Sequence, residues 1–467
     1  MSAWPRSMPI GAESQVVAPG AFAWTDHQWR GIEPNRHVVY ALHVGTFTRA
    51  GTWLAARKQL AFLAQLGVTT VELTPTAEYE GGHTSRDDGD DLFTRDHAYG
   101  SPDDLRKFVD HAHALGLAVI LDVVYDQLAS SSEPSARERC IANAVSWIRE
   151  FHFDGLRLDV TLADDEPTIV PEMIAAAREA APDRTLWMVG EPAARDSKLL
   201  LGEGFDARWN DEYHRTARGA ATRVEGDLRA GTARAFVAGL RQGFLDHGAA
   251  RARFVHFLEN HDQVAIGSGE RLNDLAHPAT LRALTALTLL TPSVPMLFQG
   301  QETGSKRPWE SYSSRTGEQG APAPNARACI LDPRERDFSR PIVALHRDLL
   351  HLRQEDPAYT ATWSDAFDAA TLAEDAFVVR CSGDQPGGDR LILVNLGDSL
   401  VRAVSDEPLL APPTGTRWKM CWSSEDVRYG GRGTPTPFTH EQLALPGHAT
   451  VVCYPDAASA FPAVARP

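Results

Sequence analysis

Four acidic side chains stand where apolar runs of the chain come to an end. Asp122 lies in Ala118 to Tyr125, Asp159 in Asp154 to Val160, Glu191 closes Thr185 to Glu191, and Asp262 follows Asn260 and His261. In the stretch Asp-Gly-Leu-Arg-Leu-Asp-Val (154–160), Leu156, Leu158 and Val160 alternate with Arg157 and Asp159, the pattern of a short strand. Arg157 and Asp159 therefore share one face. A guanidinium near a carboxylate favours the ionised acid and lowers its pKa. An aspartate held ionised and fixed in direction is suited to be a nucleophile. A buried structural ion pair is the alternative for this stretch taken alone.

The elements that must position these residues repeat as apolar strand and amphipathic helix. Strands are expected at Val38–Phe47, Val68–Leu73, Ala118–Tyr125, Asp154–Val160, Thr185–Glu191, Ala207–Asn210, Arg253–Glu259 and Val294–Gln299. Helices are expected at Trp53–Leu66, after Ser101 with Pro102 in the first turn, through Trp147, at Val170–Ala181 and at Leu281–Leu290. Each strand is apolar on both faces, as in parallel sheets covered on both sides. Eight of them predict an α/β fold, a closed (β/α)8 TIM barrel, in which chemistry gathers at the carboxyl ends of the strands. An open doubly wound sheet is the rival, but no Gly-rich phosphate loop follows the first strand. Past residue 355 short strands replace the helical period: Phe377–Cys381, Leu391–Leu396, Arg417–Trp422 and Val451–Tyr454. The expected organisation is an arm over 1–35 pinned by Trp24 and Trp29, a barrel over 36–355, and a small C-terminal antiparallel β domain over 356–467.

Composition narrows the partners. The 467 residues carry 46 Lys and Arg against 62 Asp and Glu, a net charge of −16. Nucleic acids and acidic membranes both demand a positive surface, so neither is expected as a partner, while a neutral sugar is compatible. The five cysteines are scattered and never spaced as metal ligands. Met1 to Val17 has no apolar signal core, and no later run is long enough to span a bilayer, which makes the cytoplasm the expected compartment.

Four acids at one barrel mouth repel one another, so their clustering is costly unless it does work. No His/Cys set suggests zinc; a calcium or magnesium site built of carboxylates is the structural alternative. No metal and no cofactor is expected. Paired carboxylates without a metal suit glycoside hydrolysis, with one as acid and the other as base or nucleophile.

The segments Asp-Val-Val-Tyr (122–125), Asp-Gly-Leu-Arg-Leu-Asp (154–159), Gly-Glu (190–191) and Asn-His-Asp (260–262) resemble the four sequence blocks of the α-amylase family of glycoside hydrolases, in order. The resemblance implies Asp159 as nucleophile, Glu191 as general acid/base and Asp262 as the acid that stabilises the distorted ring. It also implies Arg157, His261 and Asp122 as residues that hold substrate and nucleophile. The implied reaction retains the α anomer through a covalent glucosyl ester on Asp159, with the two carboxyl groups about 5 Å apart. A narrower resemblance is to malto-oligosyltrehalose trehalohydrolases. It is carried by residues 16–26 and 29–31, Leu-His-Val-Gly-Thr-Phe-Thr (42–48), His-Ala-Tyr-Gly (97–100), Gly-Phe-Asp-Ala-Arg-Trp-Asn-Asp (204–211), Phe-Leu-Glu-Asn-His-Asp-Gln-Val (257–264) and Leu-Phe-Gln-Gly-Gln-Glu (297–302). That family releases trehalose from a capped maltooligosaccharide and needs no metal, and Trp209 and Asp211 would then serve the trehalose side.

The chain departs from the pattern where the glucose is gripped. Asp126-Gln127 replaces the usual Asn-His, leaving Gln127 to bind the glucose 6-hydroxyl. Asp87 stands where an aromatic platform is usual, with Phe93, Tyr99 and Trp309 as substitutes to weigh against plain packing. The excursion after the third strand is short, and no stretch matches the family's amino-terminal β domain. The expected function is thus a retaining α-glucoside hydrolase, trehalohydrolase-like, with a rebuilt glucose subsite. An α-glucan transglycosylase and a non-catalytic sugar-binding or scaffold protein are the alternatives.

Overall fold

The computed structural model describes residues 22–74, 99–125, 134–159, 169–191, 204–222, 232–245, 253–266, 270–309, 328–360, 367–383, 387–439 and 442–457. Eight strands close into a parallel barrel: β1 (Val39–Leu42), β2 (Thr70–Leu73), β3 (Ala118–Val124), β4 (Gly155–Asp159), β5 (Trp187–Gly190), β6 (Ala207–Trp209), β7 (Arg253–Phe257) and β8 (Val294–Phe298), with β8 returning to β1. The expected (β/α)8 barrel is therefore present. Its interior is filled from every side, by Val39, Ala41, Ile120, Trp187, Val189, Ala207, Val255, Phe257 and Met296 among others.

Local chemistry explains the connections. Ser101 caps the Pro102–Ala114 helix: its hydroxyl accepts from the Asp104 N–H, while the Asp104 carboxylate accepts from the Ser101 N–H. This reciprocal pair satisfies two donors at the helix start, and Pro102 costs nothing in the first turn. Leu105, Phe108, Val109 and Ala112 are buried along one stripe, as their spacing predicts. The expected strand Val38–Phe47 stops at Leu42, because Val44–Phe47 forms one turn of helix with Val44 and Phe47 buried. The expected helix Trp53–Leu66 is two pieces, Trp53–Arg57 and Leu60–Leu66.

The arm is fastened by a buried polar network at the amino end of β4. Trp24 stacks on His152 at 3.8 Å and Trp29 on His113 at 4.8 Å between ring centres. Asp26 takes 2.8 Å hydrogen bonds from His113 and His152, and His113 reaches Asp154 at 2.9 Å with its other nitrogen. Trp29 Nε1–H also donates to Asp154 at 2.7 Å. Burial pushes His113 down, but the two carboxylates outweigh it and raise the ring to about 9. Burial likewise favours protonated Asp26, and the two histidines overcome it and hold that acid well below the usual carboxylate range. Asp26, His113 and Asp154 are therefore all charged at neutral pH.

The chain divides into two compact units whose boundaries interleave in sequence. One spans 1–211, 247–274 and 294–340 and holds the whole barrel sheet; the other spans 212–246, 275–293 and 341–467. In the second unit a five-stranded antiparallel sheet runs β13 (Thr416–Ser423), β15 (Ala449–Ala457), β11 (Arg390–Asn395), β10 (Ala376–Cys381) and β9 (Phe367–Thr371), beside a ribbon of β12 (Leu400–Ala403) and β14 (Gln442–Leu445). Helices Pro278–Leu290 and Arg340–Glu355 belong to this unit, tied by Thr450 Oγ1–H to the Ala283 carbonyl and by Arg353 to the carbonyls of Leu289 and Thr291. The sequence break expected near residue 355 thus falls inside the second unit.

Candidate active site

The glycine of the Asp-Gly-Leu-Arg-Leu-Asp stretch is fixed by its neighbours. A Cβ on Gly155 would stand 1.8 Å from the Trp187 carbonyl oxygen, so β4 and β5 meet there backbone to backbone. From that point the register sets Asp122 of β3 opposite Arg157 of β4, and Val124 opposite Asp159. Ile120, two residues before Asp122, belongs to the barrel core, so Asp122 and its register partner Arg157 face the interior.

Arg157 is the hub. Its Nη1 donates to both oxygens of Asp122, at 2.9 and 3.0 Å. Its Nη2 lies 3.2 Å from Glu191 Oε2 and 3.9 Å from Asp262 Oδ2. The guanidinium carbon sits 4.0 Å over the ring of Trp209. Arg157 and Asp122 are sealed, whereas the side chains of Glu191 and Asp262 remain 27% and 39% exposed. Solvent therefore reaches the two acids and not the pair that holds them.

The seventh strand supplies the rest. Asn260 Oδ1 accepts from the Gln263 N–H at 2.7 Å and starts the His261–Ile266 helix, which turns Asp262 toward Arg157. His261 Nε2 stands 3.3 Å from Asp262 and 3.6 Å from Asp122. Its backbone carbonyl accepts from Trp309 Nε1–H at 2.8 Å. His43, at the end of β1, points Nε2 at the Tyr99 hydroxyl, 3.0 Å away, and lies edge-on to Trp309. Burial, with His261 close by, lowers His43 to about 4, so it is a neutral ring.

The residues expected here separate into distinct parts. Asp122, Arg157, Glu191, His261 and Asp262 form one cluster. Trp209 closes β6 with its ring 1% exposed, turned to Arg157 and His261. It packs under the guanidinium with almost none of its surface exposed. Asp122 and Arg157, expected to hold substrate, are both buried: Asp122 contacts Arg157 and His261, and Arg157 reaches Glu191 and Asp262. Asp211 is half-buried at the start of the Asp211–Thr222 helix. Asp159 is the last residue of β4. Trp309 and Tyr99 are engaged with His261 and His43, which favours packing over a substitute platform. Gln127, Asp126, Asp87 and Phe93 lie outside the described residues.

One buried acid was not among those expected. Glu72, in β2, is 1% exposed, and neither of its oxygens has a hydrogen-bond partner among the described residues. Its register partners Ala41 and Ile120 are barrel-core residues, so it faces the interior too. The signal in the sequence was a lone charge inside Val68–Leu73. Burial, followed by the field of Asp122, raises Glu72 to about 8 despite Arg157. Burial raises Asp122 as well, and there the hydrogen-bonded Arg157 opposes it. Among the described residues, no group of three or more His, Cys, Asp or Glu is arranged to hold a metal ion.

Comparison with known proteins agrees with this geometry. Residues 17–139 match the α-amylase catalytic domain, and residues 364–452 match a domain of unknown function, DUF3459. The malto-oligosyltrehalose trehalohydrolase of Deinococcus radiodurans is 31% identical over 86% of this chain and 80% of its own length. The 1,4-alpha-glucan branching enzyme GlgB 2 of Xanthomonas campestris pv. campestris is 26% identical over 95% of this chain and 68% of its own. A crystal structure described as an alpha amylase from Salmonella typhimurium superposes with a TM-score of 0.72 at 26% identity, over 95% of this chain and 86% of that one. Barrel, acids and relatives together define a glycosidase. The chain belongs to the α-amylase family of glycoside hydrolases, and trehalohydrolases and branching enzymes are among its relatives.

Proposed function

We propose that this glycosidase is a retaining α-glucoside hydrolase that acts on trehalose-capped maltooligosaccharides or a related α-glucoside. In this reading Asp159 attacks the anomeric carbon and forms a glycosyl ester. Glu191 protonates the departing oxygen and then draws the proton from the water that cleaves the ester. Asp262 stabilises the positive charge that develops on the ring. The observation that carries the reading is the sharing of one guanidinium nitrogen by Glu191 and Asp262, which brings two exposed acids from different strands to one place. The relatives named malto-oligosyltrehalose trehalohydrolase support the substrate class. The cytoplasm is the proposed compartment, supported by the five free cysteines.

The test is product analysis after incubation with maltotriosyltrehalose, maltooligosaccharides and trehalose. Release of trehalose is expected, with the new reducing end of the maltooligosaccharide formed in the α configuration. No turnover of any of these by folded wild-type protein would return the chain to a sugar-binding or scaffold role. A second reading, transfer to a sugar acceptor, is favoured by the branching enzyme among the relatives. It shows as new longer glucans when an acceptor is added.

A further inference from the structure

Glu72 has no part in the reaction just described, yet it is a carboxyl sealed inside the barrel beneath the working acids. The charged groups that act on it are Asp122 on β3, Arg157 on β4 and Asp262 at the start of the His261–Ile266 helix, while β1 places only Ala41 beside it. Arg157 already serves Asp122, Glu191 and Asp262. A further buried anion on the same side of the sheet would compete for that one cation.

We propose that Glu72 is a positioning residue: as a neutral acid it leaves Arg157 to Asp122, Glu191 and Asp262, and its ionisation pulls the guanidinium inward and disables the site. The proposal rests on the reading of Glu191 and Asp262 as working acids. Only a proton moves in this step, from the Glu72 carboxyl to solvent. Burial without a hydrogen-bond donor among the described residues is what keeps the proton on, and it places the loss of that proton near pH 8.

The test compares wild type with Glu72→Gln and Glu72→Leu, two neutral replacements, so that a fold defect in one does not stop the experiment. Thermal unfolding is followed without substrate from about pH 5 to 9.5, and kcat/KM is measured with maltotriosyltrehalose. Folded wild type holds a proton that the unfolded chain gives up above its ordinary value of 4.5. Its Tm should therefore fall relative to both variants as pH rises toward 8, and then run parallel. The ratio of variant to wild-type kcat/KM should rise about 15-fold between pH 8 and pH 9.5, because wild type alone loses this proton. A Tm difference that does not change with pH shows that Glu72 holds no proton and overturns the proposal. A Tm difference that changes while the activity ratio stays flat also overturns it, since the proton is then structural only. Absence of wild-type turnover, with the Tm difference still changing, defeats the reading of Glu191 and Asp262 and the positioning role with it.

Discussion

The indole of Trp209 lies face-on to the guanidinium of Arg157, 4.0 Å from ring centre to guanidinium carbon. An arginine buried to this extent has lost its water, and the ring face together with Asp122 replaces part of that solvation. Cation–π contacts in such dry surroundings are worth about 2 kcal/mol. Trp209→Leu should lower kcat/KM about 30-fold by letting Arg157 drift, and should cost about 3 kcal/mol of stability through the cavity it leaves. Trp209→Phe, which keeps a ring, should lose markedly less of both. Steady-state kinetics beside urea unfolding checks the pair, and equal losses in the two variants would show that only volume matters.

Arg157→Lys replaces a planar fork by a single ammonium, which cannot serve three carboxylates at once. A fall of at least about a hundredfold in kcat is expected, with about 3 kcal/mol lost from stability as buried Asp122 loses its partner. Because Arg157 is sealed from the barrel mouth, KM should change little. A rise in KM with kcat intact would mean that the guanidinium touches substrate.

The barrel was legible from sequence because its strands are buried on both faces and so appear as unbroken apolar runs. Ala118–Val124 and Val294–Phe298 are the clearest cases. The acids were legible because charges at the ends of such runs stand out. Three strands of the second unit were not: β12, whose Val401 is 63% exposed, β14 and β9 are short and mixed in burial, and short mixed runs resemble loops. Val44–Phe47 was misread as strand because Val44, Thr46 and Phe47 are residue types common in strands and continue an apolar run, and one turn is too short for the i, i+3 spacing of Val44 and Phe47 to stand out as helical. The role of Trp209 was hidden because an aromatic residue beside a polar stretch reads equally as platform or as core, and only the position of Arg157 decides. Glu72 was passed over because an acid within a strand gives no sign of whether it finds a partner.

Fastening of the arm should depend on pH. His113 is raised to about 9 in the folded chain from an ordinary 6.5, so its stabilisation is complete below 6.5 and is lost as pH rises through 9. The shift corresponds to about 3 kcal/mol. Asp26 has the opposite sign: its lowered pKa stabilises above the ordinary 3.8, and that contribution is lost as pH falls further. His113→Gln should be less stable than wild type at pH 6, with the gap closing toward pH 9.5. Chemical denaturation at several pH values measures it, and a gap independent of pH would remove His113 as the source.

Gly155→Ala should be among the most damaging single changes. The added methyl collides with the Trp187 carbonyl, which is backbone and cannot rotate away. A loss of about 4 kcal/mol is expected, together with reduced kcat, since β4 carries Arg157 and Asp159 past that point. Soluble yield and Tm report the first effect, and activity of the remaining folded fraction reports the second. Wild-type values in both would show that β4 and β5 do not meet closely at Gly155.

Covalent trapping addresses the chemistry most directly. Glu191→Gln protein is treated with a fluorinated α-glucosyl fluoride, whose good leaving group removes the need for the acid in the first step but not for water activation in the second. Peptide mass mapping should then find one added sugar on the peptide that begins after Arg157, with Asp159→Asn abolishing it. A sugar attached to another residue, or none on a protein that still turns the reagent over, would contradict the account.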